Sequence, residues 1–345
     1  MAKSLGLSRV TVSAVLNNRH RKAGISDETA VKVKEAAREL GYFRNDLAMA
    51  MKSGHNLVIG AMVSNLATAW VGRILSGILQ GTRESEYLIK LEEVSGPQAE
   101  EAALSRFIGQ RVAGILCCNF HPEEEFVADF ARTTSRYSVP VVTVSSSPSL
   151  PGSRILSDDY SGSAQAVKHL WELGHRNICY INGMGKYDWI RDRTQGFLDA
   201  LEQLGGKLRA DTVVQSPFDA NEMEATVRHL LGKKRSRPTA VVCINDIAGA
   251  ICLRVARSLG LDVPGDLSVV CYEGGVAAYT DPPLTVVRQP FTEMGLRCVK
   301  ELLAMIDMNR DAARRRKKPE NIVLPLTFQP GSSTAACPAR GASRR

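Results

Sequence analysis

The groups that could carry covalent chemistry are dispersed along this chain. Its six histidines, His20, His55, His121, His169, His175 and His229, stand far apart, and none falls at a metal-ligand spacing. The eight cysteines show no disulfide framework, which fits a reducing compartment. Cys117-Cys118 closes an apolar run without a histidine beside it to make a nucleophile. Gly183-Met184-Gly185 starts a dinucleotide-type loop and lacks the rest of it. No enzymatic activity, metal or cofactor is expected. Groups suited to non-covalent recognition do cluster. Arg9, Thr11, Ser13 and Asn17 lie within ten residues of Ser8, with the apolar Val10 and Ala14 among them. Residues 1–53 carry ten Lys or Arg against five Asp or Glu, most of the chain's net charge of +8. A concentrated positive segment rich in short donors suits a polyanion such as duplex DNA.

The elements that would hold these residues can be read from spacing. Ala2 to Leu16 reads as helix, turn, helix, with Gly6 in the turn at positive φ and Ser8 as N-cap of the second helix. Val12, Val15 and Leu16 share the core face, and Arg9, Val10, Ser13, Ala14 and Asn17 point elsewhere. A third helix starts at Ser26 and stops at Gly41. Such a trio can place its second helix in a major groove, although any small helical bundle would share the pattern.

From Asn56 the period changes. LVIGAMV (57–63), YLIKLEE (87–93), VAGILCC (112–118) and VPVVTVS (139–145) alternate with helical stretches. A second series follows with NICYING (177–183), DTVVQ (211–215), TAVVCIN (239–245) and LSVVCYE (267–273). Short apolar runs alternating with helices read as buried strands of parallel sheets, here two doubly wound lobes of similar size. Neither a signal peptide nor an apolar run of membrane-spanning length is present, so a cytoplasmic location without membrane association is expected.

AKSLGLSRVTVSAVLNN followed by ISDETAVKVKEAARELGY resembles the start of the LacI/GalR family of bacterial transcription regulators. LVIGAMV, RVAGIL, VPVVTV, SDDYSGSAQAVKHLWELGHRNICYING, the Arg193–Phe197 RxxGF motif, AVVCIND, GLDVPGDLSVVCYE and PPLTVVRQP extend the resemblance to about Ser333. It implies a homodimeric repressor that reads a palindromic DNA operator under control of a small effector, a carbohydrate by preference. The competing reading is a periplasmic-type solute-binding protein, which needs a signal peptide and no headpiece. The implied division is a headpiece at 1–43, a hinge helix at 44–54, two periplasmic-binding-protein-like lobes within 55–334, and a disordered tail at 335–345. One lobe takes 55–157 plus 288–320, the other 158–287 plus 321–334. The family pattern begins a few residues before Met1, so a late start or truncation is suspected.

The resemblance also implies roles. Thr11, Ser13 and Asn17 would fix the second helix on the duplex backbone, and Ser8, its N-cap, is counted with them among the DNA-binding residues. Arg9, Val10 and Ala14 would face the bases, Arg9 able to make a bidentate contact to guanine and Val10 only an apolar one. Position 14 is commonly Arg in the family. Asn45, Ala48 and Met51 belong to the hinge helix, with Met51 as a minor-groove wedge. Trp70 and Phe218 would stack on the effector, Arg193 would clamp it and Asn245 would bind it at a strand end. The other readings are a core-packed Trp70, a surface ion pair for Arg193, and a turn cap for Asn245. Ser145 and Glu273 would also bind the effector; they stand where the family usually has Asp, which argues against the usual hexoses.

Overall fold

The computed structural model describes residues 1–16, 20–42, 56–185, 187–310 and 318–338. Asn17, Asn45, Ala48, Met51 and the expected hinge helix lie outside the described residues. The chain divides into two units, Met1–Leu57 and Val58–Arg345.

The first unit holds α1 (Arg9–Leu16) and α2 (Asp27–Glu39). The helix expected before α1 is a single turn, closed by Leu5 N–H to the Met1 carbonyl at 3.1 Å. Gly6 ends it at φ 64°. Ser8 Oγ accepts from Thr11 N–H at 3.0 Å, which satisfies one of the orphan donors at the start of α1. Ser26 caps α2 in the same way, through Thr29 N–H. Val12, Val15, Ala30 and Val33 are buried, with Met1, Ala2, Leu5, Leu7, Leu16 and Ile25 packed around them. A core of this size leaves the unit little stability to spare.

The second unit follows the alternation read from sequence. Its first lobe contains β1 (Val58–Val63), α3 (Ala69–Thr82), β2 (Leu88–Glu93), α4 (Pro97–Gly109), β3 (Gly114–Cys118), α5 (Glu124–Arg136), β4 (Val141–Val144) and β5 (Ser153–Ser157). The second contains α6 (Asp159–Glu172), β6 (Ile178–Gly183), α7 (Asp188–Gln203), β7 (Val213–Ser216), α8 (Ala220–Gly232), β8 (Ala240–Cys243), α9 (Asp246–Ser258), β9 (Ser268–Glu273) and β10 (Thr285–Arg288). The chain then returns to the first lobe as α10 (Phe291–Arg310) and β11 (Asn321–Leu324), and ends in the second with β12 (Thr327–Gln329). The sheet orders are β11-β5-β4-β3-β1-β2 and β12-β10-β9-β8-β6-β7. All pairings are parallel except β10 with β12. Strands such as β3 and β8 are buried along their whole length, because helices cover both faces of a parallel sheet.

Two expectations are corrected. Residues 321–324 were placed in the second lobe. They pair instead with β5, from Asn321↔Arg154 to Leu324↔Ser157. The run NIVLPLTFQ holds two strands for two sheets, split only at Pro325-Leu326, so its apolar pattern shows no lobe boundary. The tail expected to be disordered from residue 335 is packed as far as it is described. Cys337 N–H bonds the Leu173 carbonyl at 2.8 Å, and the Ala335 carbonyl lies 3.0 Å from His175 Nε2. His175, buried and also bonded to Thr239 and Ser268, thus ties the tail to the second sheet.

α10 and β5 were not among the elements picked out from pattern. α10 lies close against α3: a Cβ on Gly77 would meet the Thr292 carbonyl at 2.0 Å, and one on Gly295 the Ile74 carbonyl at 2.1 Å. Among the described residues, no helix is long and apolar enough to cross a membrane.

Candidate functional site

Each sheet reverses its strand order once, beside β1 and β3 in the first lobe and beside β6 and β8 in the second. At such points the loops leaving neighbouring strands turn to opposite faces and leave a crevice at the carboxyl ends, where doubly wound folds bind ligands. The residues following those strands meet in a cavity of about 510 Å³. Asn65, Trp70, Arg73 and Asn119 come from the first lobe; Tyr187, Trp189, Phe218, Asn245, Asp246, Glu273 and Gly275 come from the second. Adjoining it, a smaller space of about 30 Å³ is lined by Trp70, Ser145, Ser157, Asp159, Trp189, Arg193, Glu273, Gln289 and Phe291.

The six residues proposed for the effector all border this cleft. Trp70 lines both spaces, and its ring stacks on Phe291 at 5.5 Å and 22°, so it also packs on the core. Phe218 is 47% exposed in the larger cavity, its ring lying over Gly183. Asn245 lines the cavity while its side chain accepts from Ala248 N–H at 2.8 Å as the cap of α9. It therefore has one amide end committed to the helix and the other available to the cleft.

Arg193 is neither exposed nor in a surface pair. It is 3% exposed, donates through Nε to Asp159 Oδ1 at 2.7 Å and through Nη1 to the Ile244 carbonyl at 2.7 Å. Its guanidinium lies 4.1 Å from the Tyr272 ring centre and 4.7 Å from that of Trp189. A planar cation so held is pre-oriented and loses little freedom on meeting a ligand. Asp159 also accepts from Gln289 at 2.8 Å and from Ser157 at 2.6 Å. This one carboxylate thus gathers groups from two of the three segments joining the lobes.

Ser145 (φ 48°) and Glu273 (φ 78°) both adopt left-handed backbone at the ends of β4 and β9, the kind of strain that gathers at binding sites. The Glu273 carboxyl makes no side-chain hydrogen bond among the described residues. Desolvation pushes its carboxyl up to about 7, and Asp246 and Asp159 add to the shift while Arg193 and Arg73 oppose it. Near neutrality it can serve as a donor or as an acceptor.

Sequence reasoning missed Tyr187, Trp189, Asp159, Gln289 and Arg73. Trp189 borders both spaces, with its ring parallel to that of Tyr187 (5.8 Å, 5°). Its signal was present: Trp189 stands four residues before Arg193, on the same helix face. Asp159 and Gln289 are 130 positions apart and meet only through the fold.

In the first unit, α1 presents Arg9, Val10 and Ser13 to solvent, with Val10 78% exposed, while Thr11 and Ala14 are half-buried. Thr11 Oγ1 lies 2.9 Å from Ser8 Oγ. An exposed apolar side chain next to an arginine on a capped helix is suited to a base edge beside phosphates.

Comparison with known proteins yields two family matches. Residues 1–45 match the model described as bacterial regulatory proteins, lacI family, and residues 167–334 match a periplasmic binding protein-like domain. The chain is 30% identical over 321 residues to the HTH-type transcriptional repressor PurR of Erwinia tasmaniensis, covering 91% of each chain. It is 29% identical over 332 residues to the HTH-type transcriptional regulator DegA of Bacillus subtilis, covering 94% of each. Among solved structures it resembles the Lac repressor dimer bound to operator and the anti-inducer ONPF, with a TM-score of 0.77 and 26% identity over 97% of this chain and 98% of that one. It also resembles a transcriptional regulator CelR–cellobiose complex, with a TM-score of 0.71 and 27% identity over 96% and 98%.

Proposed function

Because the chain belongs to the lacI family of bacterial regulatory proteins, we propose that it is a DNA-binding transcriptional repressor whose hold on a palindromic operator is set by a small molecule in the cleft between its lobes. The observation that carries this reading is the pairing, in one chain, of an exposed Arg9–Val10–Ser13 helix face with an aromatic-walled cavity at the strand ends. Arg9 reads a base and Val10 contacts a methyl group, while Ser8, Thr11 and Ser13 hold phosphates. Asn17 and the hinge residues Asn45, Ala48 and Met51 extend the contact. The chain works as a homodimer in the cytoplasm and is not an enzyme.

A carbohydrate is the effector class of choice. Trp70, Trp189 and Phe218 offer flat apolar faces for sugar C–H groups. Asn245, Glu273 and Arg193 offer the polar groups that fix hydroxyls. The likeness to a cellobiose-bound regulator supports the same class. The effector acts by stabilising one arrangement of the lobes, so its differential affinity for the two arrangements sets the change in operator affinity. A solute carrier would have no use for the headpiece.

The test is fluorescence anisotropy of a duplex from the chain's own promoter region, titrated with protein, before and after adding each sugar that raises the melting temperature. A discrete complex with a steep salt slope, shifted by a stabilising sugar, is expected. Binding that ignores sequence, or an affinity no cleft ligand moves, would reject effector-controlled DNA binding.

A further inference from the structure

The first sheet has another end, opposite the cleft. Its strands all run parallel, so their amino ends share one edge. Val58, the first residue of β1, lies there, and its carbonyl accepts from Ala113 N–H at 2.7 Å. The connection from α10 to β11 belongs to the same edge. Asn309 Nδ2 donates to the Ser138 carbonyl at 3.4 Å, just ahead of β4. Arg154 N–H, near the start of β5, donates to the Glu320 carbonyl at 2.8 Å. The chain coming from the headpiece therefore enters the second unit at the edge to which this connection is fixed.

Residues 310–318, RDAARRRKK, carry six Lys or Arg and one Asp. Together with residues 1–53 they hold all of the chain's positive excess, because the remainder has 28 basic and 30 acidic residues. Arg314, Arg315, Arg316 and Lys317 lie outside the described residues, and Lys318 is exposed. The turns at this edge add three more exposed cations, Arg83 after α3, Arg111 after α4 and Arg136 at the end of α5. None of the four described cations makes an ion pair among the described residues. Glu84, Glu86 and Glu320 are exposed beside them. A cation at a helix C-terminus offsets the helix dipole, which accounts for Arg83 and Arg136. Arg111 is held at a cost in strain, with left-handed backbone (φ 52°) at a position that usually takes glycine. The run from Arg314 to Lys318 stands beyond the last turn of α10, out of reach of its dipole. A concentration of unpaired cations on one edge suits a polyanion.

We propose that this edge of the first lobe is a second DNA-contact surface, which holds backbone phosphates of the duplex flanking the stretch that α1 reads. The proposal rests on operator reading by α1 and adds a site on the other unit of the chain. Residues 43–57 tether the edge to the headpiece, and fifteen extended residues span at most about 50 Å. That is the length of roughly 15 base pairs of duplex. Contacts from Lys and Arg to phosphate carry no sequence information and act through counterion release. The edge thus adds affinity and salt dependence without altering which sequence is read, and only on a duplex long enough to reach it.

Fluorescence anisotropy of the full chain on two duplexes tests this. Both carry the same fragment of the chain's own promoter region, one trimmed to about 20 base pairs and one extended to about 50, and each is titrated across a range of salt. For the native chain, the slope of log affinity against log salt should be steeper on the long duplex by roughly 2 to 4, at about 0.9 per phosphate. Two variants ask whether the edge supplies that difference. One is Arg83→Gln/Arg111→Gln/Arg136→Gln/Lys318→Gln, and the other is Arg314→Gln/Arg315→Gln/Arg316→Gln/Lys317→Gln. Each should shrink the slope difference and weaken long-duplex binding by about tenfold at low salt. Each should leave short-duplex binding and the melting temperature unchanged. Native slopes and affinities on both duplexes in both variants overturn the second surface and leave operator reading by α1 standing. Failure of the native chain to bind either duplex overturns the operator reading, and this surface with it.

Discussion

The helix face of the headpiece and the floor of the cleft use arginine in opposite ways. Arg9 stands exposed on α1, above a helix capped by Ser8. Arg193 is buried, with Nε on Asp159, Nη1 on the Ile244 carbonyl and an aromatic ring within 5 Å of its guanidinium. The first is free to meet a large partner that brings its own phosphates and base edges. The second is committed in advance, which narrows what a small ligand can be and makes the residue part of the scaffold. Removing each should therefore damage different things.

The largest effect is expected from Arg193→Ala. It leaves the buried Asp159 carboxylate without its cation, and breaking such a pair costs about 3–5 kcal/mol. Differential scanning calorimetry should show the melting temperature of the second unit fall by on the order of 10 °C. An unchanged transition would mean that Arg193 is as dispensable to the scaffold as Arg9. The converse test is Arg9→Ala. It should lower operator affinity by about 1–3 kcal/mol, roughly 5- to 150-fold, and leave both thermal transitions in place. A loss of folding in this variant would erase the distinction between the two arginines.

A smaller effect sharpens the comparison within the cleft. Glu273 holds its proton to about pH 7 in the folded chain, while its ordinary value is 4.5. Between those values the folded state binds more protons than the unfolded one, so this residue's contribution to stability falls as pH rises through the window and levels off above it. Melting temperatures of Glu273→Gln, measured from pH 5 to 8, should lose that downward component. An identical pH dependence in both proteins would show that Glu273 is solvated like a surface carboxylate. His121 acts in the same range with the other sign. Its folded pKa of about 4 lies below the ordinary 6.5, so its contribution is lost as pH falls through that interval.

What could be read from the sequence follows the same division. The headpiece is local: Ser8, Gly6, Ser26 and Gly41 are caps and turns whose physics involves only near neighbours. Strands with two buried faces, such as VAGILCC and TAVVCIN, announced themselves by apolar runs. β11 was given to the wrong lobe because nothing in NIVLPLTFQ says which sheet has a free edge. In the cleft, Trp70, Phe218, Asn245 and Glu273 could be named singly. The network joining Ser157, Asp159, Arg193 and Gln289 could not, since it depends on two of the lobe crossings meeting in space. The resemblance pointed to Arg193 as a clamp, and only the fold revealed that its partners come mainly from the protein itself.

The most direct measurement is selection of duplexes from random-sequence DNA by the full chain, repeated with Arg9→Ala. Enrichment of a two-fold symmetric site by the native chain, with relaxed preference at one symmetric pair of positions in the variant, is the expected result. Failure to enrich any site, or enrichment of asymmetric sequences that the variant selects equally well, would contradict operator reading by α1.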